Sequence, residues 1–421
     1  MPVAREDVMR VLRSGLAAAD PEAAVVGGLR RLRPSGDVVV LAFGKAAYRM
    51  ARGALSVLGG RVREGLAIVP KGYPSGDLGN IRVIEGTHPL PSEENVRASE
   101  EAMGIVRRVR EDETLLVLIS GGGSALLEVP KDGLSVEEEA ALADALMRSG
   151  ADVRELNAVR KHLSEVKGGQ LIRGFRGREC VSLIVSDVVG NPVDSIASGP
   201  TAPDPTTYAE ALDVLRKYGL DGRFPNSERI LGMGARGLLE ETPKPGDPVF
   251  SRVINRIVLD NRPALRAMAR EARRMGYSAQ ILTESMEGEA REVGRFLGSL
   301  STRGRRRAAM AGGETTVTVR GKGRGGRNQE LALSAALQVR RLGAAGRSGI
   351  GAMATDGVDG NSPAAGAALG SEDLESLDEA GAAAALREND SYGFLSRAGL
   401  AVVTGPTGTN VNDLFVIMTR S

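Results

Sequence analysis

Between Gly321 and Arg327 the chain reads Gly-Lys-Gly-Arg-Gly-Gly-Arg, four glycines interleaved with three cations. Glycine lets a backbone come close to a ligand, and a helix start offers unpaired N–H groups at the positive end of a dipole. Lys322, Arg324 and Arg327 add full charges, so the segment suits a polyphosphate; the alternative is a basic surface loop with no ligand. Gly321, Gly323 and Gly326 also match the G-x-G-x-x-G outline of a dinucleotide site. That fingerprint normally opens its domain and is followed, about 20 residues on, by an acid that holds a ribose. Here the next acid after Glu330 is Asp356, inside an Asp-Gly-Val-Asp-Gly loop, and three cations suit a triphosphate better than a pyrophosphate.

A second glycine-rich segment, Ser120-Gly121-Gly122-Gly123-Ser124, follows the apolar run from Leu115. At the carboxyl end of a parallel strand it would border a ligand crevice; otherwise its glycines serve tight strand–helix packing. It lacks the Gly-Lys-Ser/Thr ending of a Walker loop. Lys45 follows the run that ends at Phe43, where it can meet a phosphate or a carboxylate. Asp187 follows another buried run and resembles a magnesium-holding position, with a turn cap as its alternative. Asp356 and Asp359 suggest a metal or hydroxyl site, and Asn410, Asn412 and Asp413 form a further polar cluster. His88 is a proton carrier or a hydrogen-bonded loop histidine, and Ser92 is placed to cap the helix after it. Asn157, Arg160, Lys161 and Ser164 share one face of a helix, which either contacts an acidic ligand or is solvated.

Positioning these residues requires layered strands and helices. Val38 to Phe43, Leu66 to Pro70, Leu115 to Ser120 and Val181 to Ser186 read as buried strands, with helices over Ala46 to Val57, Ser92 to Arg108 and Asp152 to Val166. Apolar strands without alternation, followed by Gly-rich turns, indicate a parallel sheet covered on both faces. The least periodic stretch, Asp221 to Pro248, ends in a Pro-Gly cluster and serves as a connector, placing the domains at 1–245 and 246–421. Beyond it come strand Arg256 to Leu259, helix Arg262 to Met275, strand Ser278 to Leu282, helix Glu287 to Ser301 and strand Thr315 to Val319. Helix Asn328 to Arg340 and strands Gly349 to Ala354 and Asp413 to Met418 complete the pattern.

The totals narrow the function. The length of 421 residues, 42% hydrophobic content and 26% charged residues fit a folded chain of about two or three domains. No run approaches the roughly 18 apolar residues of a membrane span, and Met1 to Asp20 is charged rather than signal-like, so a cytoplasmic protein is expected. A net charge of +2 and 3% aromatics give no global sign of nucleic-acid binding. Cys180 stands alone beside His88 and His162, which excludes an internal disulfide and makes a thiolate or histidine-rich metal site improbable. Scarce Gln with abundant charge fits a thermophile, although a GC-rich genome gives a similar Arg, Ala and Gly bias.

Taken in order, Phe43-Gly44-Lys45-Ala46, Gly86-Thr87-His88-Pro89, Ile119 to Ala125, Leu156 to Ser164 and Ser186-Asp187-Val188 resemble the class II glycerate kinases. Ser198-Gly199-Pro200-Thr201, Gly312 to Thr315, Gly326 to Glu330 and Ala354 to Gly360 extend the likeness over nearly the whole chain. The resemblance implies an α/β protein of two domains: an N-terminal α/β/α Rossmann-like parallel sheet and a smaller C-terminal α/β domain, with the active site in the cleft between them. It implies phosphorylation of D-glycerate by ATP with Mg²⁺, at the 2-hydroxyl as in archaeal members. Relatives have also been labelled hydroxypyruvate reductases, so an NAD(P)H oxidoreductase is a second reading and a non-catalytic sugar-acid or nucleotide sensor a third. The family's important Lys and Arg map onto Lys45 and Arg327, and Asp187 joins them as a catalytic candidate. Ser120, Gly121, Gly122, Gly123, Ser124, Lys161, Glu314, Asn328 and Asp356 are the expected nucleotide contacts, with Asp187 and Asp356 as metal ligands. No nucleic acid or membrane partner is expected, and homodimerisation stays open.

Overall fold

The computed structural model describes residues 2–302 and 306–420. The chain divides into two compact units, Pro21–Val258 and, from two segments, Met1–Asp20 with Leu259–Ser421.

The first unit is built on strands β1 (Val38–Phe43), β2 (Val62–Pro70), β3 (Ile81–Gly86), β4 (Thr114–Ile119), β5 (Glu179–Val185) and β6 (Val253–Leu259). They lie in the order β3-β2-β1-β4-β5-β6. Pairings from β3 through β5 are all parallel, with Phe43 level with Ile68 on one side and Ile119 on the other. Every residue of β1 and β4 is buried, as continuous Val/Leu/Ile runs covered on both faces require. Val39, Leu41, Leu115 and Val117 pack with Ile105 and Val106 of the helix Glu93–Arg107 in the core of this unit. Successive strands depart in opposite directions from β1 and β4. That reversal opens a crevice beyond their carboxyl ends, where open α/β sheets bind ligands.

The second unit holds β7 (Ser278–Met286), β8 (Arg307–Gly313), β9 (Ser348–Ala354), β10 (Gly366–Leu369), β11 (Ala401–Val402) and β12 (Asp413–Thr419). Their order is β11-β10-β9-β12-β8-β7, antiparallel except for the pair β7 and β8. The helix Arg5–Ala18 packs on this sheet, where Gly351 leaves room for Val8 and Leu12: a Cβ there would lie 2.7 Å from each.

Several expectations are corrected. The boundary lies at Val258/Leu259 rather than 245/246, and residues 1–20 belong with the second unit. The run Arg256 to Leu259 is part of β6 in the first sheet, where Asn255 Nδ2 donates to Thr201 O at 2.9 Å and Thr201 Oγ1 to Asn255 Oδ1 at 2.7 Å. The connector contains the helix Pro225–Ala235. Thr315 to Val319 is not a strand, because its polar groups serve the turn before helix Ala290–Ser299: Thr316 N donates to Gly288 O at 2.9 Å and Thr318 N to the Glu289 carboxylate. Ser92 precedes its helix but makes no side-chain cap, since its Oγ donates to Asn95 Oδ1. Among the described residues no helix is long and apolar enough to cross a membrane.

Candidate active site

Lys45, the Ser120 to Ser124 segment and Asp187 all follow carboxyl ends of strands in the first unit, those of β1, β4 and β5. β1 and β4 flank the reversal of strand order. Lys45 N donates to Gly121 O at 2.8 Å, Ala46 N to Ser120 Oγ at 3.0 Å and Ser120 N to Phe43 O at 3.2 Å, so the two turns are stitched together. Gly122 has φ +81°, and a Cβ there would lie 3.0 Å from the His88 ring and 3.4 Å from Lys45 Cγ. Lys45 and His88 therefore both border the space beside Gly122. Among the described residues, the Gly121 and Gly122 amides have no hydrogen-bond acceptor. Two N–H groups without an acceptor beside a lysine are the kind of donors that an anion requires.

The helix Val153–Leu163 explains why the turn is rigid. Its polar stripe is not solvated: Asn157 and Lys161 are buried. Arg160 Nη2 donates to Ser124 O at 2.8 Å, and Ser198 Oγ donates to Asn157 Oδ1 at 2.8 Å while lying 3.1 Å from Ser124 Oγ. Behind Arg160 lies a buried charge cluster. Burial pushes the Glu139 carboxyl up to about 7 against the pull of Arg160, and drives the Lys167 ammonium well below its ordinary range while it contacts Glu128. Lys161 is spoken for, because its buried ammonium pairs with Asp204 at 3.2 Å and Asp194 at 3.5 Å. That corrects its reading as a nucleotide contact.

In the second unit Arg327 begins the helix Arg327–Arg341. Its Nε and Nη2 form a fork on Asp413 at 2.6 and 3.2 Å, and Nη1 donates to Glu314 at 2.5 Å. Three of five guanidinium N–H groups are thereby used, which orients a one-third exposed side chain and leaves two donors for a ligand. Burial pushes Asp413 up to about 7; Arg327 opposes this, while Glu314 and Asp359 add to it.

The loop before Arg327 is closed by the protein itself. Arg320 N and Gly321 N donate to Asn389 Oδ1, Gly323 N to Glu388 O, Arg324 N to Asp390 Oδ1 and Gly325 N to Asn361 Oδ1. A Cβ on Gly323 would lie 2.5 Å from Asp390 Cα, and one on Gly326 2.3 Å from the Asp359 carboxyl carbon. These glycines admit neighbouring protein, and Lys322 and Arg324 are exposed. The helix start is filled as well: Asn328 N and Gln329 N donate to the two carboxylate oxygens of Asp359 at 3.1 and 2.9 Å. Asn328 is fully buried with its amide on Asp359, so it is corrected from nucleotide contact to part of this cap. Asp359 is the group that sequence reading assigned to a metal or hydroxyl; only its place two residues after a glycine turn hinted at capping.

Magnesium takes one or two carboxylates, with phosphate oxygens and water completing the shell. Among the described residues no group of three or more His, Cys, Asp or Glu side chains could hold a metal. Asp187 and Asp356 stand two residues beyond β5 and β9, and Asp356 Oδ1 accepts from Val358 N, whereas both carboxylate oxygens of Asp359 accept from helix amides.

Residues 7–231 match the model of a domain of unknown function (DUF4147), and residues 307–413 match the MOFRL family. The chain is 41% identical to a glycerate 2-kinase of Pyrococcus horikoshii over 99% of its own length and 98% of that protein's. It is 39% identical to a D-glycerate 2-kinase of Thermotoga maritima, covering 97% and 96%. The crystal structure of a glycerate kinase from Thermotoga maritima superimposes with a TM-score of 0.86 at 37% identity, covering 99% of both chains.

Proposed function

Because the chain belongs to the glycerate kinase family that joins a DUF4147 domain to a MOFRL domain, we propose that it phosphorylates D-glycerate with ATP at the 2-hydroxyl, giving 2-phosphoglycerate. The observation that carries this reading is the turn at the strand reversal, where Lys45 stands beside the two open amides of Gly121 and Gly122. Phosphoryl transfer needs neutralisation and positioning more than covalent help, and this turn supplies both.

In the reaction the glycerate hydroxyl oxygen bonds to the γ-phosphorus while the bond to the bridging oxygen breaks and ADP departs. Lys45 and the Gly121 and Gly122 amides hold phosphate oxygens in the first unit, and Arg327, with two donors remaining, is the second unit's candidate for neutralising charge. Asp187 receives the hydroxyl proton. Asp413 and Glu314 fix the guanidinium in advance, so little reorganisation is required when charge develops. Bound Mg²⁺ would supply neutralisation of phosphate charge, and Asp356 is the strand-end carboxylate of the second unit that would hold it. The dinucleotide alternative loses its support, because the amides a pyrophosphate would use in the Gly321 to Arg327 loop are bonded to protein. Scarce Gln with abundant charge supports a heat-stable enzyme, which thermal unfolding followed by circular dichroism tests. Phosphorus NMR of the product from glycerate, ATP and Mg²⁺, run beside NADH with hydroxypyruvate, tests the activity. NADH oxidation without phosphate transfer overturns it, and a 3-phosphoglycerate signal overturns the regiochemistry.

A further inference from the structure

A cavity of about 590 Å³ lies within the first unit. It is bordered by the end of the helix Glu93–Arg107, the turn Gln170–Ile172, the helix Pro225–Ala235 and the start of the helix Tyr208–Lys217. Its size falls in the range of roughly 300–1,000 Å³ typical of small-molecule sites. Met103, Leu171, Ile230, Met233 and Leu239 give it an apolar wall.

Its polar groups are unequal. Lys131 pairs with Glu165 at 2.9 Å and Arg173 with Glu240 at 2.5 Å, so those charges cancel locally. Arg107 and Arg229, both exposed, also line the cavity and pair with no carboxylate among the described residues, and Asp132 is a further lining carboxylate, so the lining carries one net positive charge. Tyr208 lines it too, 1% exposed, and its hydroxyl has no hydrogen-bond partner. The Tyr208 ring is held edge-on to His162 at 4.6 Å, with Gly234 packed against it. Burial and nearby carboxylates, Glu241 and the cavity's Glu165 among them, push its phenol up, so it remains a neutral donor. A buried hydroxyl without a partner costs stability, and a ligand acceptor in this cavity would remove that cost.

We propose that this cavity binds an amphipathic monoanion: apolar body against the Met103 to Leu239 wall, acid group at Arg107 and Arg229, and one acceptor oxygen on the Tyr208 hydroxyl. No residue of the cavity belongs to the phosphate-handling set, so the site is separate from the kinase chemistry.

Sodium octanoate is the probe, titrated calorimetrically into the full chain. Saturable one-to-one binding is expected. Affinity should fall tenfold or more in an Arg107→Ser/Arg229→Ser variant and vanish in Leu239→Trp, which fills the cavity, while glycerate turnover stays at the wild-type level in both. Tyr208→Phe keeps the ring and gives opposite signs in two readouts: a higher Tm without octanoate and roughly threefold weaker octanoate binding. Absence of saturable binding to the wild type overturns the site. So does binding whose affinity neither the double variant nor Tyr208→Phe changes, and so does equal affinity for octan-1-ol, which lacks the charge.

Discussion

The chain carries two glycine-rich loops that look alike as text, Ser120 to Ser124 and Gly321 to Arg327, and they are built on opposite terms. In the first the glycines leave amides open: Gly121 N and Gly122 N have no acceptor among the described residues, and the space a Gly122 side chain would take is bordered by His88 and Lys45. In the second the glycines admit protein, and five consecutive or near-consecutive amides from Arg320 to Gly325 are already bonded. Charge follows the same division. Lys45 is half-buried at a strand end, whereas Lys322 and Arg324 are exposed. Arg327, at the end of the second loop, is held in place by Asp413 and Glu314. A glycine-rich loop offers its amides to a phosphate only where its own protein leaves them unpaired.

The largest expected effect comes from the cations. Arg327→Ala should lower turnover by about 10³ or more, the scale of a lost transition-state cation. Arg327→Lys should fare little better, because a lysine cannot fork onto Asp413 and reach a ligand together. Circular dichroism must show both variants folded; near-normal turnover in either removes Arg327 from the chemistry. Lys45→Ala should cost about 10²-fold in kcat/KM, against no more than about twofold for Lys322→Ala. Equal losses at the two lysines would erase the distinction between the loops.

Glycine substitutions sharpen it further. Gly122→Ala should raise KM for ATP about tenfold with a stability loss near 1–2 kcal/mol, from a methyl group in the anion space and a left-handed backbone. Gly323→Ala should do the converse, lowering stability by about 1–3 kcal/mol through overpacking against Asp390 and leaving KM within twofold. Denaturant melts beside ATP titrations decide, and the reverse pattern would mean that the loops have been assigned the wrong way round.

The smallest effect is in pH dependence. Asp413, facing Arg327, Glu314 and Asp359, is pushed up to about 7 by burial. A carboxyl with a raised folded pKa binds protons better folded than unfolded, so its stabilising contribution is full below about pH 4 and is lost as pH rises through 7. The difference in stability between wild type and Asp413→Asn should therefore shift steadily against wild type from pH 4 to pH 7. A flat difference would place the Asp413 carboxylate in its ionised form throughout, held there by Arg327.

Much of the fold was legible because buried parallel strands announce themselves. Val38 to Phe43 and Leu115 to Ile119 are apolar without alternation, and each is followed by a turn that carries a candidate site residue. Edges and domain membership were less legible. β6 is only partly buried, so nothing in its residues says which sheet it joins, and the helix Arg5–Ala18 declares an apolar face without saying that Gly351 of β9 receives it.

By itself the sequence determined which residues stand at strand ends, since one-dimensional periodicity sets where a strand stops and the next residue must turn. It also carried the order of motifs from Gly44-Lys45 to Asp356-Gly357, and hence the family. Tertiary structure alone decided which charges remain available. Lys161 is neutralised by Asp204, Asp359 fills the helix start at Asn328, and Arg160 holds the backbone of Ser124. Each of those pairings joins residues at least 31 positions apart. A charge's partner depends on where distant chain returns in space, and local pattern does not encode that return.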